Sequence, residues 1–153
     1  MNNQLGILVN DMLPSELFYY VQKGLTKAIS DNYIKDATIL YINQSSIMCH
    51  PKFSVCHVVE LCGFKGDCIA TSITGLMKLL KAVISGQKYY YIDNLEWLHL
   101  PAMNASQLMS IFRQPSIKYI CRSETHARLI ENNFNRRPDY IIEDFDLSPI
   151  YGK

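Results

Sequence analysis

The residues best suited to chemistry in this chain follow a run of tyrosines. Asp93, Asn94, Glu96 and Trp97 come directly after the segment KYYYI at 88–92, whose aromatic residues favour a β-strand. A carboxylate beside an aromatic ring suits a hydroxyl-bearing ligand, because it can accept the hydroxyl hydrogen bond or take the proton as a general base. We therefore predict that Asp93 is catalytic, that Asn94 and Glu96 shape a pocket for the hydroxyl-bearing acceptor, and that Trp97 or the tyrosines stack on a ring of that acceptor.

Polar residues also follow other predicted strands, at the point where each strand ends. Parallel strands direct their carboxyl ends to one edge of a sheet, and ligands bind at that edge in folds of this kind. We therefore predict that these side chains contact the same acceptor: Asn10, Asp11, Thr71, Ser72, Ser123 and Glu124. Residues of these types also form turns and cap helices, which is the alternative role for Thr71, Ser72 and Ser123.

The elements that must position these residues alternate between strands and helices. Apolar runs predict strands at 4–10, 37–43, 55–61, 68–70, 88–92, 117–121 and 139–143. Helices are predicted after Ser15, between Thr71 and Gly86, over 101–112 and after Ser123. This alternation is typical of an α/β protein, and we expect one doubly wound domain over 1–153 with a mostly parallel sheet and helices on both faces.

Composition limits the class of protein. The 153 residues have the length of one domain, and 15 Lys and Arg face 14 Asp and Glu, so no strong overall field attracts nucleic acid or membrane. The longest apolar runs are well short of the roughly 20 residues that span a bilayer, and the amino terminus lacks a basic segment followed by an apolar one. An odd number of cysteines, five, favours reduced thiols. We expect a cytoplasmic protein with no membrane contact.

A metal or nucleotide site has little support in the sequence. The cysteines and histidines between Cys49 and Cys68 include no CxxC or HxxxH spacing, and Cys56 and His57 would point to opposite faces of a strand. We predict no metal ligands and prefer small buried residues to the alternative of a zinc site. The loop NDMLPSE after the first strand has neither the dinucleotide fingerprint nor the P-loop motif, so we expect this chain alone to bind no cofactor.

Basic residues are concentrated in the last third of the chain. If they gather on one face, they could contact the phosphates of a DNA acceptor and make its binding salt-dependent. The predicted phosphate contacts are Arg113, Arg122, Arg128, Arg136 and Arg137. The alternative is a solvated surface, in which acidic residues nearby such as Asp139 pair with these arginines.

Four segments carry a resemblance to a known family: IATSITGLMKLL, KYYYIDNLEWL, KYICRSETHARLIENNF and DYIIEDFD. Together they resemble the N-terminal, acceptor-side domain of a GT-B glycosyltransferase, in which two Rossmann-like domains face each other. The resemblance runs from about Gly66 to Asp146. Its nearest analogy is the phage DNA glucosyltransferases that modify hydroxymethylcytosine. In their alpha-type member a comparable strand-end aspartate lies near the reacting centre, which would correspond to Asp93.

This resemblance implies one half of a sugar-transfer enzyme. The donor domain of the family holds a nucleotide sugar, and no segment resembling that domain follows DYIIEDFD, so a donor-domain partner protein is expected to bring the nucleotide sugar. The acceptor implied by the analogy is a phage DNA base. The chain departs from the family at 10–14, where a glycine-rich turn is common. Alternatives are a non-catalytic protein-binding module derived from such a domain, and a small-molecule enzyme of another doubly wound family.

Overall fold

A computed structural model describes residues 4–44, 51–99 and 103–152 of the chain. The strands are β1 (Gln4–Val9), β2 (Asp36–Tyr41), β3 (Ser54–His57), β4 (Asp67–Ala70), β5 (Lys88–Ile92), β6 (Ile117–Cys121) and β7 (Tyr140–Ile141). The α-helices are α1 (Glu16–Ser30), α2 (Ile73–Lys81), α3 (Ala105–Phe112), α4 (Glu124–Phe134) and α5 (Ser148–Tyr151). Every strand pairing is parallel, in the order β3-β2-β1-β4-β5-β6-β7.

The direction of winding reverses between β1 and β4. The chain moves outward from β1 to β3 on one side and from β4 to β7 on the other, so right-handed crossovers place their helices on opposite faces. Helix α1 packs on one face together with the turn after β7, whereas α2, α3 and α4 pack on the other. The predicted doubly wound α/β fold is therefore confirmed, with a sheet that is entirely parallel among the described strands.

The five inner strands, β1, β2, β4, β5 and β6, are largely apolar on both faces because both faces are covered, whereas the edge strands β3 and β7 are partly exposed. In β5, Tyr89 and Tyr91 pack on the α1 side while Tyr90 and Ile92 pack on the α2 side. All four are at most 4% exposed. The three consecutive tyrosines are thus core residues, and the two-residue period of the strand places Asp93 on the α1 side of the sheet edge.

Two predicted strands are three residues shorter in the structure, whereas β1 and β2 end only one or two residues early. Strand β3 ends at His57, and Val58–Leu61 forms a 3₁₀ turn in which Val58 and Leu61 are buried. Strand β7 contains only Tyr140 and Ile141, because a second 3₁₀ turn begins at Glu143. The predictions for 58–61 and 142–143 were therefore wrong, since apolar residues in a short turn bury their side chains as effectively as those in a strand.

Helix α2 ends at Lys81, earlier than the predicted end at Gly86. The Lys88 ammonium donates hydrogen bonds to the carbonyl oxygens of Ala82 (2.7 Å) and Leu80 (3.4 Å), which satisfies backbone groups that a longer helix would use. A side chain at position 86 would overlap the carbonyl oxygen of Gly66, so this glycine permits a close approach between loops. Helix α3 begins after a capping box at Asn104 and Gln107. Of the predicted 101–112 helix, 101–102 lie outside the described residues, and the prediction was wrong for 103–104, which precede the helix.

Candidate functional site

The carboxyl ends of β1 and β4 border a cavity at the point where the winding reverses. This switch-point cavity has a volume of about 210 Å³ and is lined by Val9, Asn10, Asp11, Ser15, Leu17, Phe18, Thr71 and Ser72. Ligands of doubly wound proteins bind at this position in the fold. Four of the predicted site residues, Asn10, Asp11, Thr71 and Ser72, are therefore brought together here.

The polar residues after β4 are held by hydrogen bonds. Thr71, 8% exposed, donates from its hydroxyl to the carbonyl oxygen of Leu8 at 2.8 Å and so ties β4 to β1. Ser72 is the N-cap of α2: its Oγ accepts from the Gly75 amide at 3.0 Å and donates to Asn10 Oδ1 at 2.6 Å. Ser123 caps α4 in the same way, accepting from the His126 amide. The capping alternative thus holds for both serines and is wrong for Thr71, whose hydroxyl bonds a strand carbonyl instead.

Asp93 takes part in an ion network that also joins β6 to α1. Its Oδ1 lies 3.5 Å from the guanidinium of Arg122, and the same guanidinium lies 3.3 Å from Glu16 Oε1. Glu16 is the first residue of α1 and follows Ser15 of the switch-point cavity. Arg122 therefore connects the cavity wall to Asp93 across the carboxyl edge of the sheet, the edge at which the strands end.

The Asp93 carboxyl is partly withdrawn from water, with 20% of its side chain exposed. Burial raises its pKa above the ordinary value, and the nearby Glu16 carboxylate acts in the same direction. Arg122 opposes this shift, as does His126. The balance makes Asp93 a more basic carboxylate than an exposed one, which is the property that a general base requires.

Glu96 and Trp97 lie deeper in the structure than Asp93. Glu96 Oε1 accepts hydrogen bonds from the Ile73 amide (2.6 Å) and the Tyr90 hydroxyl (2.9 Å), so this carboxylate serves the first turn of α2. The Trp97 ring is 8% exposed and packs edge-on against Phe112 and Phe134. These contacts leave little of either ring face for a ligand. Asn94 is exposed at the carboxyl edge.

The predicted phosphate contacts are not gathered around Asp93. Arg122 lies at the carboxyl edge, whereas Arg113 follows α3 at the opposite edge, where β6 begins. Arg136 also lies near that opposite edge, stacks over Tyr119 and donates to the carbonyl oxygens of Phe112, Gln114 and Ile117. Arg128 and Arg137 both pair with Glu124, and Arg137 pairs with Glu131 as well.

Two residues near Asp93 were not predicted from the sequence. Glu16 reaches the network through its contact with Arg122, 106 positions away in the chain, which no local motif signals. His126 stands in the first turn of α4, and its buried Nδ1 has no hydrogen-bond partner among the residues that the structure describes. The Ser123 cap was the available signal for His126, since a capped helix after β6 places its first turn at the carboxyl edge.

No group of three or more histidine, cysteine or acidic residues within the described ranges could hold a metal ion. Cys49 and His50, which belong to the alternative zinc cluster, lie outside those ranges. Among the helices that the structure describes, none is long and apolar enough to cross a membrane.

Comparison with known proteins gives no relative. No protein-family model matches the chain, and neither a curated protein nor a solved structure is significantly similar to it. The class supported by the fold and the cavity is therefore a doubly wound α/β domain with a candidate ligand site at its switch point.

Proposed function

We propose that this chain is the acceptor-binding half of a sugar-transfer enzyme whose donor half is a separate polypeptide. The observation that carries the proposal is the position of Asp93. It is a partly buried carboxylate of raised pKa at the carboxyl edge, and Arg122 links it to a helix that lines an open cavity. The resemblance to a GT-B acceptor domain supports the same assignment.

In this proposal Asp93 activates the acceptor hydroxyl. The carboxylate takes the hydroxyl proton while the acceptor oxygen forms a bond to the anomeric carbon of the donor sugar. The bond from that carbon to the nucleotide phosphate breaks, and its electron pair leaves with the nucleotide. Arg122 keeps Asp93 ionised before the transfer, because a neighbouring positive charge favours the carboxylate.

The donor half must supply the groups that hold the nucleotide phosphates. Three carboxylates, from Asp11, Glu16 and Asp93, lie at the carboxyl edge near the cavity, and Arg122 is already paired with two of them. Such an edge is poorly suited to a pyrophosphate, whose charge would be repelled. A partner with basic residues facing this edge would complete the site, and neighbouring genes are the first candidates for it.

We expect labelled sugar to pass from a nucleotide sugar to an acceptor when the chain is combined with its partner. Asp93→Asn should lower the transfer rate by a factor of about 10²–10⁴, the usual contribution of a general base. Asp31→Asn is the matched control, since Asp31 is an exposed aspartate at the far end of α1. Absence of transfer with every pairing, or equal rates for Asp93→Asn and the control, would refute the proposal.

A second candidate, a non-catalytic protein-binding module, is favoured by two exposed leucines. Leu13 is 40% exposed and Leu98 68% exposed, in the segments that follow β1 and β5 at the carboxyl edge. A contiguous exposed apolar patch is typical of an interaction surface, and this candidate requires both leucines to belong to one such patch. In this case Leu98→Asp should abolish binding of the partner, whereas Asp93→Asn should leave the affinity of the complex and its biological effect unchanged.

A further inference from the structure

The hydrogen bonds of the switch-point cavity leave specific polar groups free for a ligand. Ser72 Oγ accepts from the Gly75 amide, so its own hydrogen is directed to Asn10 Oδ1. This bond fixes the orientation of the Asn10 amide, because the oxygen is used by Ser72 and the NH₂ group points elsewhere. No partner for that NH₂ group occurs in the described part of the chain. Asn10 therefore offers hydrogen-bond donors at the cavity.

Asp11 offers the complementary acceptor. Its Oδ1 accepts from the Leu13 amide at 3.0 Å, which holds the side chain in place, and its Oδ2 has no partner among the described residues. Ser15 Oγ accepts from the Phe18 amide at 3.1 Å, so its hydroxyl hydrogen is also available. A carboxylate oxygen and two kinds of donor thus line one cavity.

The rest of the wall is apolar, formed by Val9, Leu17 and Phe18. We propose that the switch-point cavity binds a vicinal diol of a neutral carbohydrate. Each hydroxyl of a diol both donates and accepts, so it can donate to Asp11 while it accepts from Asn10, and the carbon face of the ring packs on the apolar wall. A cavity of about 210 Å³ accommodates one such ring. The inference rests on the proposed function and deepens it, because it names the class of acceptor.

The charges at the carboxyl edge argue against nucleic acid as the acceptor. Asp11 lines the cavity, Glu16 and Asp93 lie beside it, and both of the latter neutralise Arg122. Arg113 and Arg136 are at the opposite edge. DNA binding depends on basic side chains that meet successive phosphates, and this edge offers carboxylates instead. An uncharged diol avoids the repulsion.

The cavity and Asp93 are close enough to serve one ligand. Strand β4 separates β1 from β5, and neighbouring strands lie about 4.8 Å apart, so the end of β5 is roughly 10 Å from the end of β1. A carbohydrate seated between Asn10 and Asp11 would extend a further hydroxyl across the end of β4. That hydroxyl would reach the Asp93 carboxylate.

The test is a titration of the full chain, followed by amide chemical shifts in NMR spectra. The probes are a methyl hexopyranoside, a ribonucleoside, the matching 2′-deoxyribonucleoside and a short DNA duplex. We expect shifts at 9–18 and 71–75 with the hexopyranoside, the ribonucleoside or both, which identifies the source of the diol. The deoxyribonucleoside and the duplex should cause none there.

Two variants locate the contacts. Asn10→Asp keeps an acceptor for Ser72 but replaces the free NH₂ group by an oxygen, and Asp11→Asn removes the charge of the proposed acceptor. Each should weaken diol binding by about tenfold or more. Asp11→Asn loses a hydrogen bond to a charged group, and Asn10→Asp removes the donor that a hydroxyl of the diol would accept from. Asp31→Asn is the control and should bind as the unaltered chain does. Amide spectra of each variant without ligand show whether the fold is kept.

Three results would overturn the inference: no shift with either diol, shifts at the cavity with duplex DNA or the deoxyribonucleoside, or unchanged affinity in both variants. The titration needs no donor half, so its outcome is separate from that of the transfer assay. Diol binding without transfer in any pairing would reject the proposed enzyme and keep the cavity assignment. Transfer without diol binding would keep the proposed enzyme and reject the cavity assignment.

Discussion

The protonation of Asp93 depends on its burial and on charged residues that come from different elements. Burial and Glu16 raise the pKa of this carboxyl, whereas Arg122 lowers it. We expect Arg122→Gln to raise the pKa of Asp93 further, because burial then acts unopposed by the nearest positive charge. Glu16→Gln should lower the pKa of Asp93, since the substitution removes a like charge and leaves Asp93 as the only carboxylate of the network paired with Arg122. Carboxyl carbon shifts followed by NMR during a pH titration measure both changes.

The raised pKa of Asp93 also makes the stability of the folded chain depend on pH. A carboxyl whose pKa is higher in the folded than in the unfolded chain binds a proton more readily when folded, so it favours the folded state at low pH. This contribution is lost as the pH rises from about 4 through the raised pKa. Asp93→Asn should remove that fall in the free energy of unfolding, and Arg113→Gln serves as a control at the opposite edge. An Asp93 pKa unaffected by Arg122→Gln would contradict the coupling.

Strand ends could be predicted from the sequence, but the partners of the residues there could not. Asp93 was found because a polar residue follows a strongly aromatic strand, and the structure places it at the carboxyl edge. Arg122 was interpreted as a phosphate contact, yet it pairs with Glu16, 106 positions away in the chain. The sequence indicates that an arginine will pair with an anion. Which anion it pairs with depends on the packing of α1 over the sheet, because that packing brings Glu16 to Arg122.

At the scale of the element, Glu96 stabilises the first turn of α2. Its carboxylate accepts from the Ile73 amide, one of the amides that a helix leaves without a partner, and from Tyr90. We expect Glu96→Ala to lower the free energy of unfolding by about 2–3 kcal/mol, because both donors lose their acceptor. Glu96→Gln keeps an acceptor oxygen and should cost less. Urea unfolding gives these values.

Tyr90→Phe provides the matched control for Glu96. If the two side chains stabilise α2 together, removing the Tyr90 hydroxyl should cost less in the Glu96→Ala background than in the unaltered chain. Additive losses would contradict the shared hydrogen bond and would leave Glu96 with the Ile73 amide alone.

Element types were predictable over most of the chain because the hydrophobic pattern follows burial, and burial is nearly complete in the five inner strands of the sheet. Element ends were less predictable. Helix α2 stops at Lys81 because Lys88 bonds the carbonyl of Ala82, a contact between a helix end and the following strand. Gly86, which resembles a helix terminator, instead allows two loops to approach. Local sequence carries no signal that separates these two uses of a glycine.

At the scale of the whole molecule, the two helical layers depend on the same strands. Alternate residues of β5 pack against α1 and against α2, and β1 and β4 also contribute to both cores. Each strand is therefore fixed only when both layers are in place. Disturbing one layer should weaken the other, which is the behaviour of a domain that unfolds in one cooperative step.

Gly24 and Trp97 make this cooperativity measurable. Gly24 lies in α1 against the carbonyl oxygen of Phe145, so Gly24→Ala introduces an overlap on the α1 side and should cost about 1–3 kcal/mol. Trp97, the single tryptophan, reports the opposite layer through its fluorescence. We expect the urea midpoint from Trp97 fluorescence to fall together with that from far-UV circular dichroism.

Ser30→Ala, an exposed change in the same helix, should leave both midpoints nearly unaltered. A Trp97 transition that stays in place while the circular dichroism transition shifts would mean that the layers unfold separately, and the sheet would then not couple α1 to the Asp93 edge.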